Sequence, residues 1–542
     1  MTKQTEQKDT SAQFALNRRQ ALQLGGGLGF VATMGLGAKP VFAQDEDTLT
    51  IAIAGDLGGW DQDYLAFDLI GLAVMKNTYP YMLDYGVREV DGGQIQDTET
   101  VVPTFAESWE SNEDGTVWTL GIRQGMRFPS GNELTAADVK WSKDRAFAAQ
   151  ANVAGIYRII GLTEADQVEV VDDYTVRFHQ SQPSAMTSQI QIISLYVFDS
   201  QLVQEHATTD DPWATDWVNR NPPLGGAYNV VGYEPGQEIV LEANPDFPLG
   251  EPPVQRVRLP IIPAAANRRL LLQNGDVDIA LGLPRRDIDD LRSAPGITVI
   301  SAPSNEFVFV PMSTVTPPFD NPLVRQAMAY AVPYDQIIAS VYNGDARRST
   351  SPVPLDMPGH SDAGYPYAHD PDQARALLEQ AGLADGFDTS IVIVTDNVEQ
   401  ERIAILLQNA LGEVGGRAEI ETVDPATLQQ RRRDRTIPLQ VASGQMWVND
   451  VEYLLSVALT EGGFLNYANY DNAEVNALFG QLNGLLDPVA RQEIFMRVQE
   501  ILAEDVPWLV LCQPNFGLPV SGSISGWVQP VDGLFRLRYL ER

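Results

Sequence analysis

An α/β protein built from more than one lobe is what this sequence predicts, on three observations. Short alternating runs that read as strands recur along the whole chain, between stretches with helical apolar spacing. Cap and turn residues punctuate them at short intervals. The 542-residue chain, even without its first 43 residues, is far longer than the ~250–300 residues at which one core usually splits. Strands mixed with helices throughout imply sheets covered by helices.

The elements follow in order. Residues 1–43 have the layout of an export signal: a polar start, the arginine pair of Asn17-Arg18-Arg19-Gln20, a glycine-rich apolar core, and Val41-Phe42-Ala43 as a cleavage site near Ala43. The pair points to a twin-arginine signal. The core is too rich in glycine for a membrane span, which needs roughly 20 mainly apolar residues. No cysteine follows it, so a lipid anchor is not expected.

Thr48 to Ala54 alternates as a strand, residues 67–84 predict a helix, and the polar, Gly-rich residues 86–101 predict a loop. Trp109-Glu110, the Asp114-Gly115 turn and Thr116 to Arg123 predict a hairpin with Trp118, Leu120 and Ile122 on one face. Thr135 and Asp138 have capping-box spacing at the start of a helix. Further strand pairs fall at 168–179 and 228–243, a strand at 254–262, and a helix over 267–274 closed by Gly275. One helix is expected from Asp320 to Asn343, with Pro322 in its first turn. Helices at 371–382, 397–412 and 487–503 alternate with strands at 390–394, 417–423 and 439–442.

The chain carries a net charge of −35, and beyond the signal its only lysines are Lys76, Lys140 and Lys143. Such a surface repels nucleic acid and anionic membranes and favours solubility. The one cysteine, Cys512, cannot form an intramolecular disulfide; its apolar run Trp508-Leu509-Val510-Leu511 marks it as a buried residue rather than a catalytic thiol.

Motifs for catalysis are missing. His179, His206, His360 and His369 form no H-E-x-x-H pattern, so no metal site is expected. There is no G-x-S-x-G and no phosphate-binding P-loop. Neither a catalytic residue nor a cofactor is assigned. Two clusters of aromatic residues beside acids stand out: Trp60-Asp61-Gln62-Asp63-Tyr64, and Trp447-Val448-Asn449-Asp450-Val451-Glu452-Tyr453. Both follow strands, where α/β folds bind ligands. Rings would wall a ligand and acids would accept its hydrogen bonds; the same tryptophans could equally be core.

Taken together, Pro103-Thr104-Phe105-Ala106-Glu107-Ser108-Trp109, Asp114-Gly115-Thr116, Trp118-Thr119-Leu120, Phe128, Ser130-Gly131 and Leu134-Thr135-Ala136-Ala137-Asp138-Val139 resemble the signature of the extracellular solute-binding proteins of the peptide/nickel type, family 5. Asn244-Pro245-Asp246-Phe247, Gly275 to Ala280 and Val324-Arg325-Gln326-Ala327 extend the resemblance along the chain.

It implies an α/β periplasmic binding protein of type II, with two lobes, an inserted domain and a two-segment hinge. Domain I would comprise 44–80, 224–309 and 509–542, domain II 81–223, and domain III 310–508, with hinges near Asn305–Met312 and Leu509–Asn515. It also implies a monomeric periplasmic receptor that hands a small polar solute to the permease of an ATP-binding-cassette importer. The ligand would be a short peptide or peptide-like amine; an oligosaccharide stacked on Trp60 and Trp447 is the alternative on the same scaffold, and an exported hydrolase the alternative of another class. The expected ligand-binding residues are Trp60, Asp61, Asn305, Trp447, Asn449, Asp450 and Tyr453. Trp447-Val448-Asn449-Asp450 matches the W-x-x-D whose Asp pairs with a peptide's ammonium. The family's D-x-x-D-P is replaced by Asp450-Val451-Glu452-Tyr453-Leu454, which leaves the ligand open. Arg431 to Arg435 reads as a solvated helix end.

Overall fold

A seven-stranded sheet organises the first lobe. Its strands run Ile297–Ala302, Phe516–Ser521, Ile279–Ala280, Thr48–Ala52, Arg256–Pro260, Glu238–Ala243 and Tyr228–Glu234 from edge to edge. The computed structural model describes residues 48–542 except 65–68, 91, 222–223 and 363. The proposed signal and its cleavage site near Ala43 lie outside the described residues. Thr48–Ala52 is central and buried along its whole length, pairing in parallel with Arg256–Pro260 and with Ile279–Ala280. The strand is covered on both faces, so Thr48 and Thr50 are buried along with Leu49, Ile51 and Ala52.

The second lobe holds two sheets. One contains Ala346–Arg348, Trp508–Pro514, Phe307–Pro311 and Ala442–Gly444. The other is parallel: Gly416–Val423, Phe387–Val394 and Leu439–Gln440. Parallel neighbours need a crossover, which the Val398–Glu413 helix supplies between the first two. The chain passes between lobes twice, through residues 303–306 and at Asn515. The two passages are tied together, because Ser304 Oγ donates to Pro514 O at 2.7 Å.

A four-stranded antiparallel sheet forms the inserted region, in the order Ala106–Ser111, Val117–Ile122, Thr175–His179 and Val168–Asp172. Leu120 and Ile122 are buried, and Trp118 stacks on Trp109 at 4.9 Å. The Thr135–Asp138 capping box forms as expected at the start of the Ala136–Ala148 helix.

Three expectations are corrected. The helix expected over 67–84 ends at Thr78, and a strand begins at Leu83. Residues 86–101 are not a loop: Leu83–Val90 and Gly93–Pro103 pair as antiparallel strands. Only Leu83 to Gly86 are buried on the first of them, so the outer half, Val87-Arg88-Glu89-Val90, is largely exposed and no alternation signals it. The single helix over 320–343 is two, Pro322–Ala331 and Tyr334–Val341, because Pro333 lacks the N–H that would continue the first. Asn321 is the N-cap of the first. Cys512 is buried in a strand, and burial pushes its thiol well above the usual range. Among the described residues no helix is long and apolar enough to cross a membrane, and no group of three or more His, Cys, Asp or Glu is placed to hold a metal ion.

Candidate functional site, an interlobe cleft

A cavity of about 530 Å³ lies where the lobes meet. One wall is built from the first lobe and its insertion. The Asn152–Ile159 helix contributes Val153, Ile156 and Ile159; the Thr187–Ser194 helix contributes Ile193 and Ser194; Gln62, Leu72 and Tyr196 complete it. The opposite wall comes from one strand–loop–helix passage of the second lobe. The strand Ala442–Gly444 ends, a short loop carries Trp447, and Asp450 caps the Val451–Ala458 helix, which presents Tyr453, Ser456 and Val457. Past that helix the chain folds back on itself and places Thr460, Glu461 and Phe464 on the same wall. This reversal needs glycine twice. Gly462 has φ +77°, and a Cβ on Gly463 would lie 2.6 Å from the Val457 carbonyl.

A second, smaller cavity of about 210 Å³ continues from the first and shares Trp447, Tyr453 and Phe464 with it. Phe307, Phe309 and Trp508 line its floor, with Phe309 and Trp508 packed at 4.1 Å. Side chains alternate along a strand. Phe307 and Phe309 therefore face this cavity, while Glu306 and Val308 face a third space of about 460 Å³, which also holds Arg285 and Glu399. Burial raises the Glu306 carboxyl, partly offset by Arg285.

The residues expected from sequence separate into three groups. Trp447 and Tyr453 line the cavity, and burial pushes the Tyr453 hydroxyl up to about 12. Asn449 bridges the lobes: its N–H donates to Gln189 Oε1 at 3.0 Å and its Nδ2 to Thr98 Oγ1 at 3.3 Å. The other four do not line the cavity. Trp60 is packed edge-on against Tyr233, with 1% of its surface exposed. Asp61 takes a two-pronged hydrogen bond from Arg145, at 2.9 and 2.6 Å. Asn305 sits in the first passage between lobes and donates to Val531 O at 2.5 Å. Asp450 accepts from the Glu452 N–H at 2.7 Å and lies 3.3 Å from Arg491, which also holds Glu452 at 2.6 Å. Burial raises the Asp450 carboxyl, opposed by Arg491. Arg432 points inward, its guanidinium 3.9 Å from the Tyr467 ring, while Arg431 pairs with Glu421 at 2.6 Å.

Sequence reasoning missed the wall opposite Trp447. The run Val153, Ile156, Tyr157 and Ile160 has helical spacing and could have revealed it. Behind that wall sits a buried polar network. Asp63 accepts from Tyr196 Oη at 2.6 Å and from Arg145; burial, opposed by Arg145, pushes its carboxyl up to about 6. Lys143 Nζ donates to Tyr157 Oη at 2.7 Å and to Ser194 O at 3.1 Å, and burial lowers its ammonium to about 7.

Two lobes joined by two passages over a mainly apolar cleft define a ligand-binding protein of the periplasmic type II fold. Residues 100–466 match the profile of the bacterial extracellular solute-binding proteins, family 5 (middle region), and the chain belongs to that family. It is 26% identical over 455 residues to heme-binding protein A of Haemophilus influenzae, covering 80% of this chain and 82% of that one. It is 27% identical over 458 residues to the dipeptide-binding protein of Escherichia coli, covering 80% and 84%. The fold matches that of an ABC transporter-associated periplasmic binding protein of Helicobacter pylori in complex with peptide STSA. That match has a TM-score of 0.77, 21% identity, and coverage of 91% of this chain and 97% of that chain.

Proposed function

We propose that this chain is the receptor of an ATP-binding-cassette importer, exported to the periplasm, where as a monomer it closes on a short peptide or peptide-like amine and presents it to the permease. It acts by capture and release, without catalysis. The observation that carries this reading is the cavity walled by both lobes. A ligand there touches both walls, so it binds the closed arrangement better than the open one and shifts the population toward it. The passages at residues 303–306 and Asn515 act as the hinge. The relatives support the ligand class, since the Escherichia coli protein is named for dipeptides and the Helicobacter pylori structure holds a peptide.

The mainly apolar cavity suits a ligand with bulky apolar groups better than a sugar covered in hydroxyls. The experiment is to denature the purified protein and identify released small molecules by mass spectrometry, then titrate them back. Release and rebinding of an unmodified peptide or amine is expected. Conversion of the bound molecule on incubation, or a ligand of another class, overturns the reading.

A further inference from the structure

The serine and threonine hydroxyls that line the main cavity have committed their protons within the protein. Ser194 Oγ already donates to Ile190 O at 2.6 Å, Ser456 Oγ to Tyr453 O at 3.0 Å, and Thr460 Oγ1 to Ser456 O at 2.6 Å. Tyr196 Oη donates to Asp63, and Asn152 Nδ2 donates to Tyr64 O at 2.7 Å. With these protons committed, the Ser194, Ser456 and Thr460 oxygens keep only lone pairs for a ligand, while the Tyr196 hydroxyl is spent on Asp63 behind the wall. Gln62 goes further. Its side chain is buried, 5% exposed, it lines the cavity, and its Oε1 has no hydrogen-bond partner. A buried acceptor left unpaired is costly, and a ligand N–H would relieve it.

Charge adds a sign. Among the described lining residues Glu461 alone carries a formal charge, and it is negative. Behind the same wall Asp450 and Glu452 share the single cation Arg491, leaving a further negative charge uncompensated. Asp450 is thereby committed, whereas Glu461 stands at the cavity with its backbone N–H, not its carboxylate, held by Asn476 at 3.2 Å.

We propose that Gln62 and Glu461 are the specificity-determining residues of the cleft, one on each lobe's wall, and that they select a protonated amine whose apolar groups fill the remaining space. This rests on the reading of the cavity as the ligand site. An ammonium supplies three N–H donors and a positive charge, which a wall of acceptors with a carboxylate complements. An anionic ligand meets repulsion from Glu461.

The test uses leucyl-leucine and N-acetyl-leucyl-leucine as one probe pair, and phenethylamine and phenethyl alcohol as a second, titrated calorimetrically at pH 6.5. In the wild-type protein the free amine of each pair should bind at least about tenfold tighter, a difference of about 1.4 kcal/mol. Glu461→Gln should cut that ratio below about threefold. Gln62→Leu should weaken amine binding by about fivefold or more, read at a temperature where the ligand-free variant is folded. Equal affinity within each pair in the wild type, or an unchanged ratio in Glu461→Gln, overturns the proposal while leaving a peptide receptor intact. Preference for phenethylamine with no binding of either dipeptide supports the amine selectors and instead removes the peptide reading. No binding of either amine overturns both.

Discussion

The Asp450 carboxylate lies 3.3 Å from the Arg491 guanidinium, and that arginine also grips Glu452 at 2.6 Å. The side chains are 7% exposed for Arg491, 16% for Asp450 and 15% for Glu452, so one cation is shared by two carboxylates largely out of water. Removing the cation strands both. Arg491→Met should therefore destabilise the protein by about 3–5 kcal/mol in urea unfolding. Asp450→Asn should cost only about 1 kcal/mol, because asparagine caps a helix as well as aspartate does and Glu452 stays with Arg491. Equal losses in the two variants would contradict the arrangement.

Lys143 makes a pH prediction. Burial is the main cause that lowers its ammonium to about 7, with the Asp63 charge acting the other way. The folded value lies below the unfolded one, so the unfolded chain binds a proton that the folded chain holds weakly. Stability tied to this group is full above the ordinary lysine value of 10.5, is lost progressively as pH falls from there to about 7, and changes no further below that. The wild type should therefore gain on Lys143→Met between pH 7 and pH 10 by up to about 1.4 kcal/mol per pH unit. Lys76 is also lowered to about 7 by burial, but it is present in both proteins and cancels. A difference that stays flat with pH would place Lys143 in water.

Gln189 and Asn449 join the lobes by one direct hydrogen bond of 3.0 Å. A bond of this kind contributes about 0.5–1.5 kcal/mol net. Its loss in Gln189→Ala falls on the closed arrangement alone, so the open population should rise about 2- to 12-fold. Small-angle scattering of the ligand-free protein should show a larger radius of gyration, and ligand affinity should drop by a similar factor. An unchanged radius with lower affinity would assign Gln189 to the ligand instead.

Much of the architecture was legible because local chemistry dictated it. The Thr135–Asp138 box, the Asp114-Gly115 turn and the Gly275 cap each act within a few residues, and all three appear where the spacing put them. Leu83–Val90 escaped because its outer half faces water and carries no alternation. The site was legible in part for a related reason. Trp447 and Tyr453 stood out as rings beside acids in a strand-to-helix passage. Asp61 and Asp450 stood out equally, and nothing in their own neighbourhoods reveals Arg145, 84 residues from Asp61, or Arg491, 41 residues from Asp450. Whether a carboxylate faces a cleft or an arginine depends on such distant partners, and a single sequence does not display them.

The two tryptophans that looked alike in sequence should behave oppositely on truncation. Trp60 is 1% exposed, touches Tyr233 edge-on and accepts from Tyr79 Oη through its carbonyl at 2.9 Å, all away from the cavity. Trp60→Ala opens a void in the core and should cost about 3–5 kcal/mol of stability. At temperatures where it remains folded, its affinity for leucyl-leucine should stay within about threefold of the wild type, below 1 kcal/mol of binding energy. Trp447 lies between the two connected cavities and forms wall for both. Its side chain is half-buried, so Trp447→Ala should lower stability less. The loss of its apolar wall should remove about 1.5–3 kcal/mol from binding, a weakening of about 10- to 150-fold. Parallel unfolding and calorimetric titrations of the two variants separate wall from core. A Trp60→Ala protein that stays stable but loses its ligand would put Trp60 in the cleft.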